Sequence, residues 1–194
     1  MKTVKFEIVG TSPLLMASPK SMQRGSAAPG IKKVPSAEDE AESLAYRDTD
    51  GTLFLPSAAF HSALLAACAG RRFGKRGAKS VVSGTVFVTT EKVSLIDPAT
   101  DRAIRDYDID VRRCVIQGKS IMRARPRIDK WATVVEFELD TDFMQEPWIE
   151  ELLGIAGRTV GVGGYRPEKK GPFGRFTAKM VKTEEESPRR KKAA

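Results

Sequence analysis

The sequence predicts an α+β fold: a ferredoxin-like or RRM-like core in which two α-crossovers join four antiparallel strands, with a thumb-like insertion after the first strand and a glycine-rich loop before the last. Three observations carry the prediction. Strand and helix periodicities follow the order β, insertion, α, β, β, α, β; residues 17–50 depart in composition from their neighbours; and glycines crowd the stretch from Ala156 to Phe176, between the last helix and the last strand. With 194 residues, 41% hydrophobic and 30% charged, the chain can fill one core but not two large ones. Residues 1–182 are therefore read as one domain and residues 183–194 as a charged, disordered tail.

Each element has its own signal. Lys5 to Val9 alternates in character and leaves through Pro13-Leu14-Leu15-Met16, as a first strand ending in a proline turn does. Ser, Pro, Gly, Ala and Lys then dominate as far as Ser36, and the acidic run Glu38 to Glu42 follows, which predicts a mobile excursion with a short helix. Thr52 to Leu55 reads as a short strand. Pro56-Ser57 opens a helix in which Phe60, Ala63, Leu64, Ala67 and Cys68 share a face, and Gly70 closes it. Val81 to Val88 is β-branched and reads as a strand. Asp97 to Asp110 reads as acid-rich and irregular, and Val115 to Arg127 with Lys130 to Leu139 as two strands joined by a tight turn near Ile128-Asp129. In the second of these, Trp131, Thr133, Val135, Phe137 and Leu139 fall on one face by period two. Pro147 sits in the first turn of a helix that turns Ile149, Leu152, Leu153 and Ala156 inward, and Arg175 to Val181 is the last strand. Trp131 and Trp148 are both expected in the core.

Charge narrows the function classes. The formal net charge is +8 and the pI about 9.6, which favours an anionic partner without specifying a fold. The excess is segregated: Arg112 to Lys130 is strongly basic, whereas Glu38 to Asp50 and Glu136 to Glu151 lean acidic. Cys68 and Cys114 are the only cysteines and His61 the only histidine, so neither a disulfide framework nor a structural zinc site is expected. No apolar run approaches the length of a membrane span, and the chain reads as reduced and cytoplasmic. No metal or cofactor is expected.

Three segments could meet phosphate. The glycine loop offers Gly161, Gly163, Gly164, Gly171 and Gly174 for close backbone approach, with Arg166, Lys169, Lys170 and Arg175 beside them. The alternative is a surface loop whose glycines only turn corners. In the strand Lys119 to Arg127, Arg123, Arg125 and Arg127 project to one side at a spacing of roughly 6.6 Å, and each guanidinium can grip a phosphate with two donors. The alternative there is a solvated face on a basic protein. The third segment is the tract Arg71, Arg72, Lys75 and Arg76, interleaved with Phe73 and glycines. His61 is the sole candidate for acid or base catalysis, with a partnerless helical histidine as the plainer reading. Asp106, Asp108 and Asp110 alternate but lack the glycine and closing glutamate of a calcium loop. Neither a P-loop nor a Ser-His-Asp order can be assembled.

The helix, glycine-rich loop and Gly174-Arg175-Phe176 strand over Glu150 to Met180 resemble the RAMP superfamily, the RRM-like proteins that include backbone subunits and guide-processing nucleases of CRISPR complexes. Thr11 to Met16, Leu55-Pro56, Arg123 to Pro126 with Trp131, Ala156-Gly157, Gly161 to Gly163 and Tyr165 to Pro167 are similar to a group of short phage-encoded proteins of unassigned role. The resemblance implies an RNA-holding groove, side-by-side assembly, and a thumb formed by Ala17 to Ala45. It also implies the host cytoplasm as location. Taken together, these readings predict a non-enzymatic, largely sequence-independent binder of single-stranded RNA or DNA. Such a binder would assemble as a homo-oligomer or filament, or with other subunits of a nucleoprotein complex. A metal-independent endoribonuclease using His61 and a purely structural, protein-interaction subunit are the alternatives.

Overall fold

The computed structural model describes residues 1–19, 35–116 and 119–181. Residues 20–34 of the expected insertion and the whole of the tail 183–194 lie outside the described residues. In chain order, β1 (Lys2–Gly10) is followed by β2 (Leu14–Leu15), helix α1 (Ala37–Leu44), β3 (Phe54–Pro56), helix α2 (Ser57–Ala67), a small hairpin of β4 (Arg72–Phe73) and β5 (Arg76–Gly77), and helix α3 (Ala78–Thr85). Then come β6 (Val86–Val88), β7 (Lys92–Ser94), the long strands β8 (Asp108–Ile116) and β9 (Lys119–Ile128), β10 (Ala132–Leu139), helix α4 (Glu146–Ile155) and β11 (Phe176–Val181).

The main sheet runs β11-β1-β10-β6 with every neighbour antiparallel, and α2 and α4 supply the two crossovers. Numbered among themselves, these strands lie in the order 4-1-3-2, which is the ferredoxin-like arrangement. Period two sends Phe6, Ile8, Val135 and Phe137 to the buried face, and the helices cover them with Phe60, Leu64, Ile149 and Leu153. Phe6 meets Phe137 edge to face, and Phe60 meets Phe176 likewise. Trp131 is fully buried where β10 begins. Its indole donates to the Ser12 carbonyl at 3.0 Å and lies so close over Gly10 that a Cβ there would stand 2.3 Å from Nε1.

A second sheet, β2-β9-β8, stands beside the first. Its β8–β9 pairing extends from Asp108 opposite Arg127 to Ile116 opposite Lys119. Helix α1 starts at the N-cap Ser36, whose side chain accepts from the Asp39 N–H, and packs against β9. At the edge of β9, Glu40 accepts the Ala124 N–H at 3.1 Å, so the ladder beyond β2 is not left open.

Four expectations are corrected. Val81 to Val88 is not one strand: Ala78, Val81, Val82 and Thr85 are buried at helical spacing in α3, and only Val86 onward pairs with β10. The β-branched run hid a 3.6-residue period. Asp97 to Asp110 is not irregular to its end, because Asp108 begins β8. The strands on either side of Ile128-Asp129 do not pair with each other; β9 joins β8 and β2, while β10 joins β1 and β6. Trp131 is core, but Trp148 is 36% exposed.

Candidate nucleic-acid interface

The alternation of β9 places Arg123, Arg125 and Arg127 on one face, half-buried, while Ala124, Pro126 and Ile128 are buried on the other. Cross-strand partners share a face, so Asp108, Asp110 and Arg112 of β8 stand beside Arg127, Arg125 and Arg123 in turn. Four arginines therefore occupy one side of the hairpin. Their carboxylate partners are as well placed as they are. Asp110, nearly buried, accepts two bonds from Arg112 at 2.5 and 2.9 Å and lies 3.8 Å from Arg127. Arg127 also binds Asp129 at 2.6 Å, and Arg123 binds Glu40 at 2.7 Å. The Asp110 pairing is the first cause that raises the Arg112 pKa above its ordinary value. Arg125, at the centre of the stripe, has no carboxylate partner among the described residues; its guanidinium lies 3.8 Å from the Cys114 sulfur.

The glycine loop borders this face. After α4 the chain takes one wider turn, Ala156–Val160, because Gly157 must pass the Phe176 carbonyl, from which a Cβ would stand only 2.0 Å. The loop then runs along β2, where the Gly164 N–H donates to the Leu15 carbonyl at 2.7 Å, and a Cβ on Gly164 would come 3.7 Å from Arg125. Phe173 lies under the Arg112 guanidinium at 4.6 Å. At Gly163, Gly171 and Gly174 the room that a side chain would need is occupied by the backbone of Leu15, Tyr165 and Val162. These glycines let the loop pack against this chain's own backbone. What faces outward is the rim: exposed Tyr165, Lys169, Lys170 and Arg175, and half-buried Arg166, which donates to the Gly163 carbonyl at 3.0 Å and pairs with Glu168. A cavity of about 230 Å³ opens behind Gly161 and Gly163, between the loop and Ser62 of α2.

The structure thus brings Arg123, Arg125 and Arg127 beside the glycine loop at Gly164, while Arg166 lines the cavity with Gly161 and Ser62. It does not bring Arg71, Arg72, Lys75 and Arg76 to them. Gly10 and Thr11 bond to Trp131 and Arg175, so the loop end of the sheet is where β1 finishes, whereas the basic hairpin packs on Trp148 at the start of α4, at the other end. His61 is half-buried, and its Nε2 lies 3.0 Å from the Val86 carbonyl, which can only accept. Among the described residues no group of three or more acids, histidines or cysteines could hold a metal, and no helix is long and apolar enough to cross a membrane. Asp110 spends its oxygens on arginine. Arg112, the exposed rim residue Tyr165 and the buried Phe173 were not among the sequence candidates, although the period-two run Asp108, Asp110, Arg112, Cys114 marks that face of β8.

No family model matches the chain, and no curated protein matches its sequence. The fold itself has solved counterparts. A chain of the cryo-EM structure of the Type III-B Cmr-beta bound to cognate target RNA superposes with a TM-score of 0.56 over 93% of this chain at 12% identity. The match spans 61% of that longer chain. At this level the likeness shows a shared fold, in keeping with the ferredoxin-like α+β core expected from the sequence.

Proposed function

We propose that the protein is a non-enzymatic binder of single-stranded nucleic acid, RNA before DNA, acting as a repeated subunit along the strand or beside other subunits of a nucleoprotein complex. The observation that carries this reading is the row of arginines on one hairpin face, with Arg125 left without a carboxylate, bordered by the cationic rim of the glycine loop. Phosphates of an extended strand fit such a row. The solved counterpart, described as bound to target RNA, supports RNA as the first ligand to test. Repeated assembly is supported by β8, an edge strand whose outward face carries exposed Ile109, Val111 and Val115 beside Met122 of β9. Catalysis by His61 gains nothing from the geometry, because its ring nitrogen is committed to a backbone carbonyl.

Titration of labelled oligouridylate and its DNA equivalent at several salt concentrations tests the proposal. Log K is expected to fall linearly with log salt, more steeply for the parent than for Arg125→Ala by about 0.7. Absence of binding, or an affinity indifferent to salt, sinks it.

A further inference from the structure

At the far end of the main sheet from the glycine loop, the β4–β5 hairpin lies on the start of α4. Phe73 stacks on Trp148 with ring centroids 4.8 Å apart and planes 10° apart. Its cross-strand partner Arg76 holds its guanidinium 5.8 Å over Phe143, and Arg71 reaches Glu151 at 3.5 Å. None of this closes the surface: Phe143 is 52% exposed and Trp148 36%. Arg72, Lys75 and Lys79 are exposed as well and have no carboxylate partner among the described residues.

Exposed rings beside unneutralised cations need a reason, since a soluble domain ordinarily buries such rings or leaves them single. A ring offers a flat π face on which any base can stack, and the cations around it attract the phosphates on either side of that base. An acidic protein would satisfy the cations without using the rings. A lipid surface would need apolar depth that two half-exposed aromatics do not provide.

We infer that the β4–β5 hairpin with Phe143 and Trp148 is a second contact for single-stranded nucleic acid, one that stacks a base, whereas the arginine face grips phosphates. The inference rests on the function proposed above. Helix α4, ten residues and so about 15 Å long, separates the two ends. A trinucleotide, at roughly 6.6 Å per step, is used up along Arg123, Arg125 and Arg127 and does not reach the second contact.

The test uses the full chain and end-labelled oligouridylates of about 3 and about 20 nucleotides, which bracket common single-strand site sizes. Two variants are compared with the parent: Phe143→Ala, and Arg72→Ala combined with Lys75→Ala. All these side chains are exposed, and thermal melting verifies that the variants fold. Each variant is expected to weaken binding of the long oligonucleotide fivefold or more, the lower range for a stacked base, and to leave the short one within twofold. Arg125→Ala should weaken both. Unchanged binding of the long strand by both variants overturns the second contact, as does an equal loss at both lengths. If Arg125→Ala still weakens both lengths, the proposed function stands without the second contact. A parent that binds neither oligonucleotide overturns both.

Discussion

The two sheets obey the same alternation and use it for opposite ends. In the main sheet, every second residue of β1 and β10 enters a core closed by two helices. In the β8–β9 hairpin, one set of alternate residues is arginine and aspartate, and the other set leaves Val111, Val115 and Met122 half exposed or more. The difference shows what period two encodes. It fixes which residues share a face, while the cover laid over that face decides whether sharing stabilises the fold or leaves a surface for a partner.

The sharpest way to break the comparison is to truncate an equivalent position in each sheet. Phe137→Ala should cost about 3–5 kcal/mol in denaturant unfolding, because Phe137 is fully buried against Phe6. Met122→Ala should stay within about 0.5 kcal/mol of the parent while reducing any self-association seen by light scattering. A large loss at Met122 would mean that the hairpin face is part of the core.

A middle-sized effect belongs to Glu40, which binds both Arg123 and the Ala124 N–H. Glu40→Gln should cost about 1 kcal/mol in stability and raise oligonucleotide affinity at low salt, since Arg123 is then released from a competing carboxylate. Unchanged affinity would show that Arg123 is a structural partner of α1 alone.

The smallest effect is at the base of the hairpin, where the Tyr107 hydroxyl donates to Glu42 at 2.6 Å. Burial in the first place, and then the Glu42 bond, push the Tyr107 pKa from 10.0 to about 12. A folded-state value above the unfolded one means that this contribution is whole below pH 10 and disappears as pH rises through about 12. Tyr107→Phe should therefore flatten the alkaline decline in stability measured by urea unfolding, and an unaltered slope would exclude Tyr107 as its source.

Much of the main sheet was legible because its elements announce themselves locally. The Phe60 and Ile149 faces have clean helical spacing, and Trp131 to Leu139 alternates without a break. α3 was not legible as a helix, because valine prefers strands while the burial of Ala78, Val81, Val82 and Thr85 is a tertiary fact. Strand pairing failed for a related reason. The reading of Asp97 to Asp110 as irregular hid the strand that ends two residues before β9 and claims it ahead of β10. In the candidate site, the stripe on β9 followed from period two. Its neutralisation by Asp110 and Glu40 did not, because those carboxylates arrive from another strand and from a helix far away in sequence. The same holds for Phe143 and Trp148, whose positions beside the basic hairpin depend on how α4 packs.

Trp131 has a consequence for how the arginine face acts. Two of the crossings between the two sheets, residues 11–13 on the way to β2 and residues 129–131 on the way from β9, meet at its buried indole, held by the Ser12 carbonyl and seated over Gly10. The paired strands β2 and β9 are thereby tied to the main sheet through one side chain. For the proposed binding, arginines held beside the glycine loop in this way leave little rotational freedom to be lost when a strand docks. In kinetic terms, the proposed binder is expected to capture a strand in a single docking step at a rate set by electrostatic steering.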